Sequence, residues 1–188
     1  MSRLRAILLA LTAATGALLL PGLAAAQPAP LPEAASADRF ADFAPMLGKT
    51  WRGKGTGPNQ VEDVQRWERA VGGHAVRITH AVNGGVYGGE TLIFRDADSG
   101  RFIFHYFTTG GFHTTGFITP RGPGRFDIEE AVHGAASVEV LRSTGDLVDG
   151  VYRTRSRVEK DGQWVESGGF DYREDPSAEV VLPITPRP

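Results

Sequence analysis

From residue 49 onward the chain repeats one unit. A run of β-branched and aromatic residues, interspersed with polar ones, ends in a cluster rich in Gly, Asn or Asp. Such runs suit a pleated, half-buried surface, and such clusters suit tight turns. Ten runs qualify: residues 49–57, 61–70, 74–82, 86–95, 101–109, 112–119, 125–132, 137–143, 147–158 and 163–173. Their separators include Gly72-Gly73, Asn83-Gly84-Gly85, Gly110-Gly111, Gly145-Asp146 and Lys160-Asp161-Gly162. Short strands with tight connections predict an all-β fold, a single antiparallel meander. Closing such a sheet removes its edges, so a roughly ten-stranded barrel is expected.

Just ahead of the first strand the period changes. Phe40, Phe43 and Leu47 fall at i, i+3 and i+7, one face of a helix, with Ser36 or Asp38 as its cap. Pro45 limits that helix to about two turns, because its ring disrupts a helix interior. The expected role is a short lid over one end of the barrel, with Trp51 beneath it as the floor. Gly53 and Gly55 then let the first strand bend and its neighbours approach.

The aromatic wall is residues 87–119, where Phe94, Phe102, Phe104, Phe107, Phe112 and Phe117 gather. A two-residue Gly110-Gly111 turn predicts Phe104 opposite Phe117 and Tyr106 opposite Thr115. On that register Phe102, Phe104, Tyr106, His113 and Phe117 share one face. Ile103, His105, Phe107, Phe112 and Ile118 share the other. Both faces are apolar enough for burial, so the pattern leaves the inward face open. A slip of one residue exchanges the faces on one strand.

The first 26 residues follow another logic. Arg3 and Arg5 precede an apolar run over residues 6–20, which ends in Ala24-Ala25-Ala26. That order is expected of a secretory signal peptide cleaved after Ala26. The apolar run is shorter than the ~20 residues of a membrane-spanning helix. The expectation is export through the inner membrane to the periplasm or the extracellular medium, with no stable membrane insertion after cleavage. Residues 27–37 read as a linker, 38–173 as one barrel domain, and 174–188 as a Pro-rich tail. Val180, Val181, Leu182 and Ile184 in that tail either pack on the barrel or a partner, or stay loosely attached.

Composition narrows the partners. The 188 residues contain no Cys, so neither a disulfide nor a lipidated cysteine is available. A domain of this size buries roughly 70% of its unfolded surface and needs no disulfide. The formal net charge is −2, without the basic patch that a nucleic-acid partner requires. Arg153, Arg155 and Arg157 alternate on one strand face, as a solvated outer face does.

The stretch LGKTWRGKGTG at residues 47–57 resembles the opening of the calycin barrels: lipocalins, fatty-acid-binding proteins and bacterial relatives. Trp51, Arg52, Gly53 and Gly55 look most like the nitrobindin-type ten-stranded barrels and a group of bacterial lipocalin-like secreted proteins. AVGGH at residues 70–74 and FRDADSGRF at 94–102 resemble that second group. The likeness runs from about Phe40 to Arg173. It implies a barrel that holds a small molecule. Two departures limit it. Lys49 and Thr50 separate Gly48 from Trp51, where the lipocalin pattern has one residue. Nitrobindins hold haem through a His near the C-terminus, whereas this chain has no His after His133 and reads SGGFDY at 167–172. Haem is therefore not expected.

The candidate chemistry is sparse. His74, His80, His105, His113 and His133 show no ligand spacing, so no metal site is assigned. There is no nucleophile elbow, and Glu129 and Glu130, being adjacent on a strand, point to opposite faces. No catalytic residue and no cofactor are assigned. With a two-residue Asn83-Gly84 turn, Arg77 and Glu90 lie directly opposite one another. They make either a cross-strand ion pair or, inside the barrel, a holder for a polar head group. Arg66, Arg77 and Arg125 are the candidates for such a clamp. The expected partner is a small apolar or amphipathic molecule in the interior, lined by Trp67, Arg77, Glu90, Phe104, Tyr106, His113 and Phe117. The alternatives are a calycin-type isomerase or cyclase using His113 or Glu90, and an interaction module whose barrel is filled by its own side chains.

Overall fold

The computed structural model describes residues 38–57, 61–135 and 140–182. Ten antiparallel strands follow one another: β1 (Lys49–Gly55), β2 (Glu62–Ala70), β3 (Ala75–Val82), β4 (Tyr87–Arg95), β5 (Phe102–Thr108), β6 (His113–Gly122), β7 (Arg125–His133), β8 (Val140–Val148), β9 (Val151–Lys160) and β10 (Gln163–Glu174). Each pairs with the next, and β10 pairs with β1, which closes the barrel. The expected ten-stranded meander barrel is therefore present. The expected signal peptide, the linker at 27–37 and Ile184 lie outside the described residues.

The lid differs from the sequence expectation. It is a 3₁₀ segment, Asp38–Phe43, interrupted at Phe40, followed by turns rather than a two-turn α-helix. A 3₁₀ helix has three residues per turn. Phe40 and Phe43 are fully buried, Met46 in the following turn is fully buried with them, and Leu47 packs partly buried against the same core. The Phe43 ring stacks on Phe126 at 4.8 Å and lies 6.5 Å from Trp67. Trp67 and Phe126 in turn stand 6.1 Å apart, from strands on opposite walls of the barrel. The floor is thus a plug of Phe43, Trp67 and Phe126. Trp51 is buried to one side of it, against Tyr152 at 6.4 Å.

Two turns shift registers. Thr108 bonds Phe112 across a three-residue loop, with Gly111 in the left-handed region at φ 82. This is the common three-residue hairpin loop with its αL glycine, not a two-residue turn. The pairing becomes Phe104 with Gly116 and Tyr106 with Thr114. The one-residue slip turns His113 and Phe117 away from the face that carries Phe102, Phe104 and Tyr106. Between β3 and β4 the loop has four residues, and Val82 pairs with Tyr87. Arg77 then faces Leu92, and Glu90 faces Thr79, two residues away from the expected register. The β8–β9 hairpin turns at Asp149-Gly150 (φ 51 and 73), so Gly145 and Asp146 sit within β8 instead of forming the turn.

Candidate functional site

Inward positions follow from the alternation of each strand. On β2 they are Asp63, Gln65 and Trp67. On β3 they are Val76, Ile78 and His80, and on β5 they are Phe102, Phe104 and Tyr106. On β7 they are Phe126, Ile128 and Glu130. Near the lid these side chains close into the aromatic plug. Above it lies a cavity of about 250 Å³, lined by residues that include Gln65, Trp67, Ile78, Tyr106, Glu130 and Tyr172. Ile78, Thr91 and Ile128 face inward yet stay only half-buried, because they border this open space.

The wall above the plug carries a continuous polar chain. Asp63 is buried and accepts from the Tyr172 hydroxyl at 2.8 Å. Its other oxygen lies 2.8 Å from His80 Nδ1. His80 Nε2 lies 2.7 Å from the Tyr106 hydroxyl, and Tyr106 lies 2.9 Å from the Tyr87 hydroxyl. The single Tyr106 O–H is donated to Tyr87, so the lone pairs of its oxygen face His80 Nε2. Burial, followed by the Tyr87 hydrogen bond and the charges of Asp63 and Glu130, pushes the Tyr106 phenol far above its ordinary value. Tyr106 is therefore a hydrogen-bond donor rather than a tyrosinate base. Burial likewise raises the Tyr172 and Tyr152 phenols.

Glycines make room for these tyrosines. A Cβ at Gly53 would lie 2.3 Å from the Tyr172 ring, and one at Gly145 would lie 2.2 Å from the Tyr152 hydroxyl. Each tyrosine therefore lies over a glycine of the neighbouring strand, β10 over β1 and β9 over β8. The physical reason for Gly53 is that it seats the ring that bonds Asp63.

Glu130 stands on the wall opposite β2. Its Oε2 accepts from the Thr114 hydroxyl at 2.7 Å, and none of the ion pairs among the described residues includes it. Burial pushes its carboxyl above the usual range, opposed in part by the Thr114 bond. Two further groups line the cavity with a buried N–H that has no partner among the described residues, Gln65 Nε2 and Trp67 Nε1.

Of the residues expected in the pocket, Trp67, Phe104 and Tyr106 are on the inner wall. Trp67 is 3% exposed, and Phe104 is 4% exposed in the core below the cavity. Arg77, Glu90, His113 and Phe117 are on the outer wall. Arg77 pairs with Glu68 at 2.9 Å rather than with Glu90. Phe117 lies under the Arg101 guanidinium, and His113 stacks on His133 at 4.9 Å. The clamp candidates Arg66 and Arg125 also face outward, Arg66 binding Glu68 and Thr50. Asp63, Gln65, His80 and Glu130 were not singled out as pocket residues by the sequence. The signal for the first two was available: they precede Trp67 by four and two residues on the same strand, and therefore share its face.

No family model matches the chain, and no curated protein is similar to it in sequence. The fold and the site define the class on their own: a closed ten-stranded antiparallel barrel, compatible with a calycin-type fold, with one plugged end and, above the plug, a mainly apolar cavity that carries a few polar groups. Among the described residues, no group of three or more His, Asp or Glu side chains is arranged to hold a metal ion.

Proposed function

We propose that the barrel binds a small, largely apolar molecule in its interior, and that the chain is exported before it does so. The observation that carries the binding reading is the cavity of about 250 Å³ above the aromatic plug. A barrel filled by its own side chains would leave no such space, since protein interiors pack as densely as organic crystals. An apolar wall with a few fixed polar groups is the usual composition of a small-molecule site. Export rests on the order of charge, apolar run and small residues in the first 26 residues.

Native mass spectrometry of the protein recovered from its host's periplasm or medium tests both parts. A chain beginning at Gln27 and carrying a retained small molecule is the expected result. A chain that keeps Met1 overturns the export reading. A bare mass, with no small molecule displaceable from the interior, overturns the binding reading.

A second reading has one observation in its favour, the Asp63–His80–Tyr106 chain. On this reading the barrel transfers protons on its bound molecule through Tyr106, with His80 behind it, rather than through His113 or Glu90. Turnover that is lost in both Tyr106→Phe and His80→Gln, with ligand binding kept, is its expected signature. Turnover unchanged in both removes it.

A further inference from the structure

We infer that the cavity takes a small aromatic amine, with its cationic nitrogen at Glu130 and a hydrogen-bond acceptor at its other end beside Gln65. This rests on the cavity-binding reading and deepens it.

The first observation is the state of the inward carboxyls. Both oxygens of Asp63 are engaged, one by His80 and one by Tyr172. Glu130 has the Thr114 hydroxyl as its hydrogen-bond partner and no cation. The cavity lining includes no Lys or Arg, because the arginines near it face outward. A half-buried carboxyl that faces an apolar cavity without a cation either keeps a proton or waits for a positive ligand. An ammonium group supplies the charge that the wall lacks. An anionic ligand would meet Glu130 and Asp63 with nothing to offset them.

The second observation is the aromatic content of the lining. Tyr106, Tyr152, Tyr172 and Trp67 line the same cavity. Rings of this kind favour a cation over a neutral group of equal size, and they stack on an aromatic body.

The third lies on the opposite wall. β2 and β7 are five strands apart in the ring of ten, so Gln65 and Glu130 line the cavity from opposite walls of the barrel. Gln65 is 7% exposed and Trp67 3%, and each carries an N–H with no partner among the described residues. Buried donors are nearly always paired, and one left unpaired costs about 1–3 kcal/mol. A phenol, ether or carbonyl oxygen on the ligand satisfies them. The two walls thus ask for opposite things: positive charge at β7 and an acceptor at β2.

The test uses four probes of related frame at neutral pH, measured by calorimetry on the full chain: tyramine, phenethylamine, para-ethylphenol and para-hydroxyphenylpropionate. Tyramine is expected to bind about tenfold tighter than para-ethylphenol, the size of one cation–π or charge contact. The anionic propionate is expected not to bind. Glu130→Gln should bring tyramine down to para-ethylphenol while leaving para-ethylphenol unchanged. Gln65→Leu should weaken tyramine and para-ethylphenol alike and leave phenethylamine unchanged. The wild-type series alone decides the charge preference, so a variant that fails to fold does not block the test. Equal binding of the amine and the neutral phenol, preferred binding of the propionate, or an amine advantage that survives Glu130→Gln overturns the inference and leaves the cavity reading standing. Binding of none of the four overturns the inference, while the cavity reading is judged separately by the native mass spectrum.

Discussion

At the residue scale, the barrel's polar interior hangs on Asp63. One carboxylate holds His80 from β3 and Tyr172 from β10, so it ties strands on both sides of β2. Asp63→Ala would leave two buried donors without an acceptor, each costing about 1–3 kcal/mol. The expected loss is about 3 kcal/mol in urea denaturation, with Asp63→Asn falling between it and wild type. A loss below about 0.5 kcal/mol, as for an ordinary surface change, would contradict this account. Glu130 makes the opposite contribution. Its carboxyl is raised in the folded state, so the folded chain holds the proton more tightly than the unfolded one. Below the unfolded value, 4.5, both states are protonated and the site costs nothing. As pH rises above that value the unfolded state ionises first, and folding stability declines until the folded carboxyl ionises too. The carboxyl's surroundings are the Thr114 hydroxyl and the Tyr87 and Tyr106 phenols. Glu130→Gln is therefore expected to raise the urea midpoint at mildly alkaline pH and to leave it unchanged near pH 4. A midpoint difference that is the same at both pH values would sink this assignment.

At the element scale, strands were legible and turns were not. Eight of the ten strands overlap their sequence expectation almost end to end, because alternation and turn residues agree there. The exceptions are β8, expected at 137–143 and found at Val140–Val148, and β9, expected at 147–158 and found at Val151–Lys160. In sequence Gly145-Asp146 reads as the turn, because Gly suits one. Here Gly145 is instead the flat spot under Tyr152, and Asp149-Gly150 supplies the two positive φ values that a two-residue hairpin requires. The same ambiguity hid the site. Gly110-Gly111 fits a two-residue turn and also a three-residue loop ending in Gly111, and the choice decides whether His113 points in or out. No local feature resolves it, since Phe117 and Ile118 are equally apolar. By contrast, Asp63 and Gln65 were readable from Trp67 by parity. Composition does not mark them, because inward acids and amides on a strand look like ordinary outward ones. The assigned turn is testable. Gly150→Ala places a Cβ at φ 73 and is expected to cost about 1 kcal/mol or slightly more. Gly57→Ala, with open space around its Cβ, should cost clearly less. Equal cost in chemical denaturation would refute the turn assignment.

At the scale of the whole molecule, the barrel is closed below by its lid and belted outside by its C-terminal segment. Asp175 follows β10 and turns back over β1: its amide bonds the Thr50 carbonyl at 2.9 Å, and its carboxylate takes Arg52 at 2.8 Å. The segment then buries Ala178 and lays Leu182 against Gly88. Val64, Ala81 and Gly88 lie side by side on the outer faces of β2, β3 and β4, and Val64 and Ala81 are buried although they face outward. Their small or compact side chains give Leu182 a shallow seat. Of the two fates expected for the tail, packing on the barrel is the one seen through Leu182. The belt's hold depends on charge. The Ser177 hydrogen bond, and next the Arg52 guanidinium, hold the Asp175 carboxyl down at about 2. A carboxyl depressed below its ordinary 3.8 stabilises the folded state fully above that value and progressively less as pH falls through about 2. The amides of Asp175 and Ala178, both hydrogen-bonded in the belt, report on it directly by hydrogen exchange. Relative to amides of the barrel strands, their protection should fall as the medium is acidified from about pH 4 to about pH 2. At neutral pH the same loss should follow from Arg52→Ala. Because the cavity is lined from the inner wall, loosening the belt should leave ligand affinity unchanged. An affinity that tracked the belt would mean that β1–β4 transmit its position inward, and the barrel could not then be treated as a rigid container.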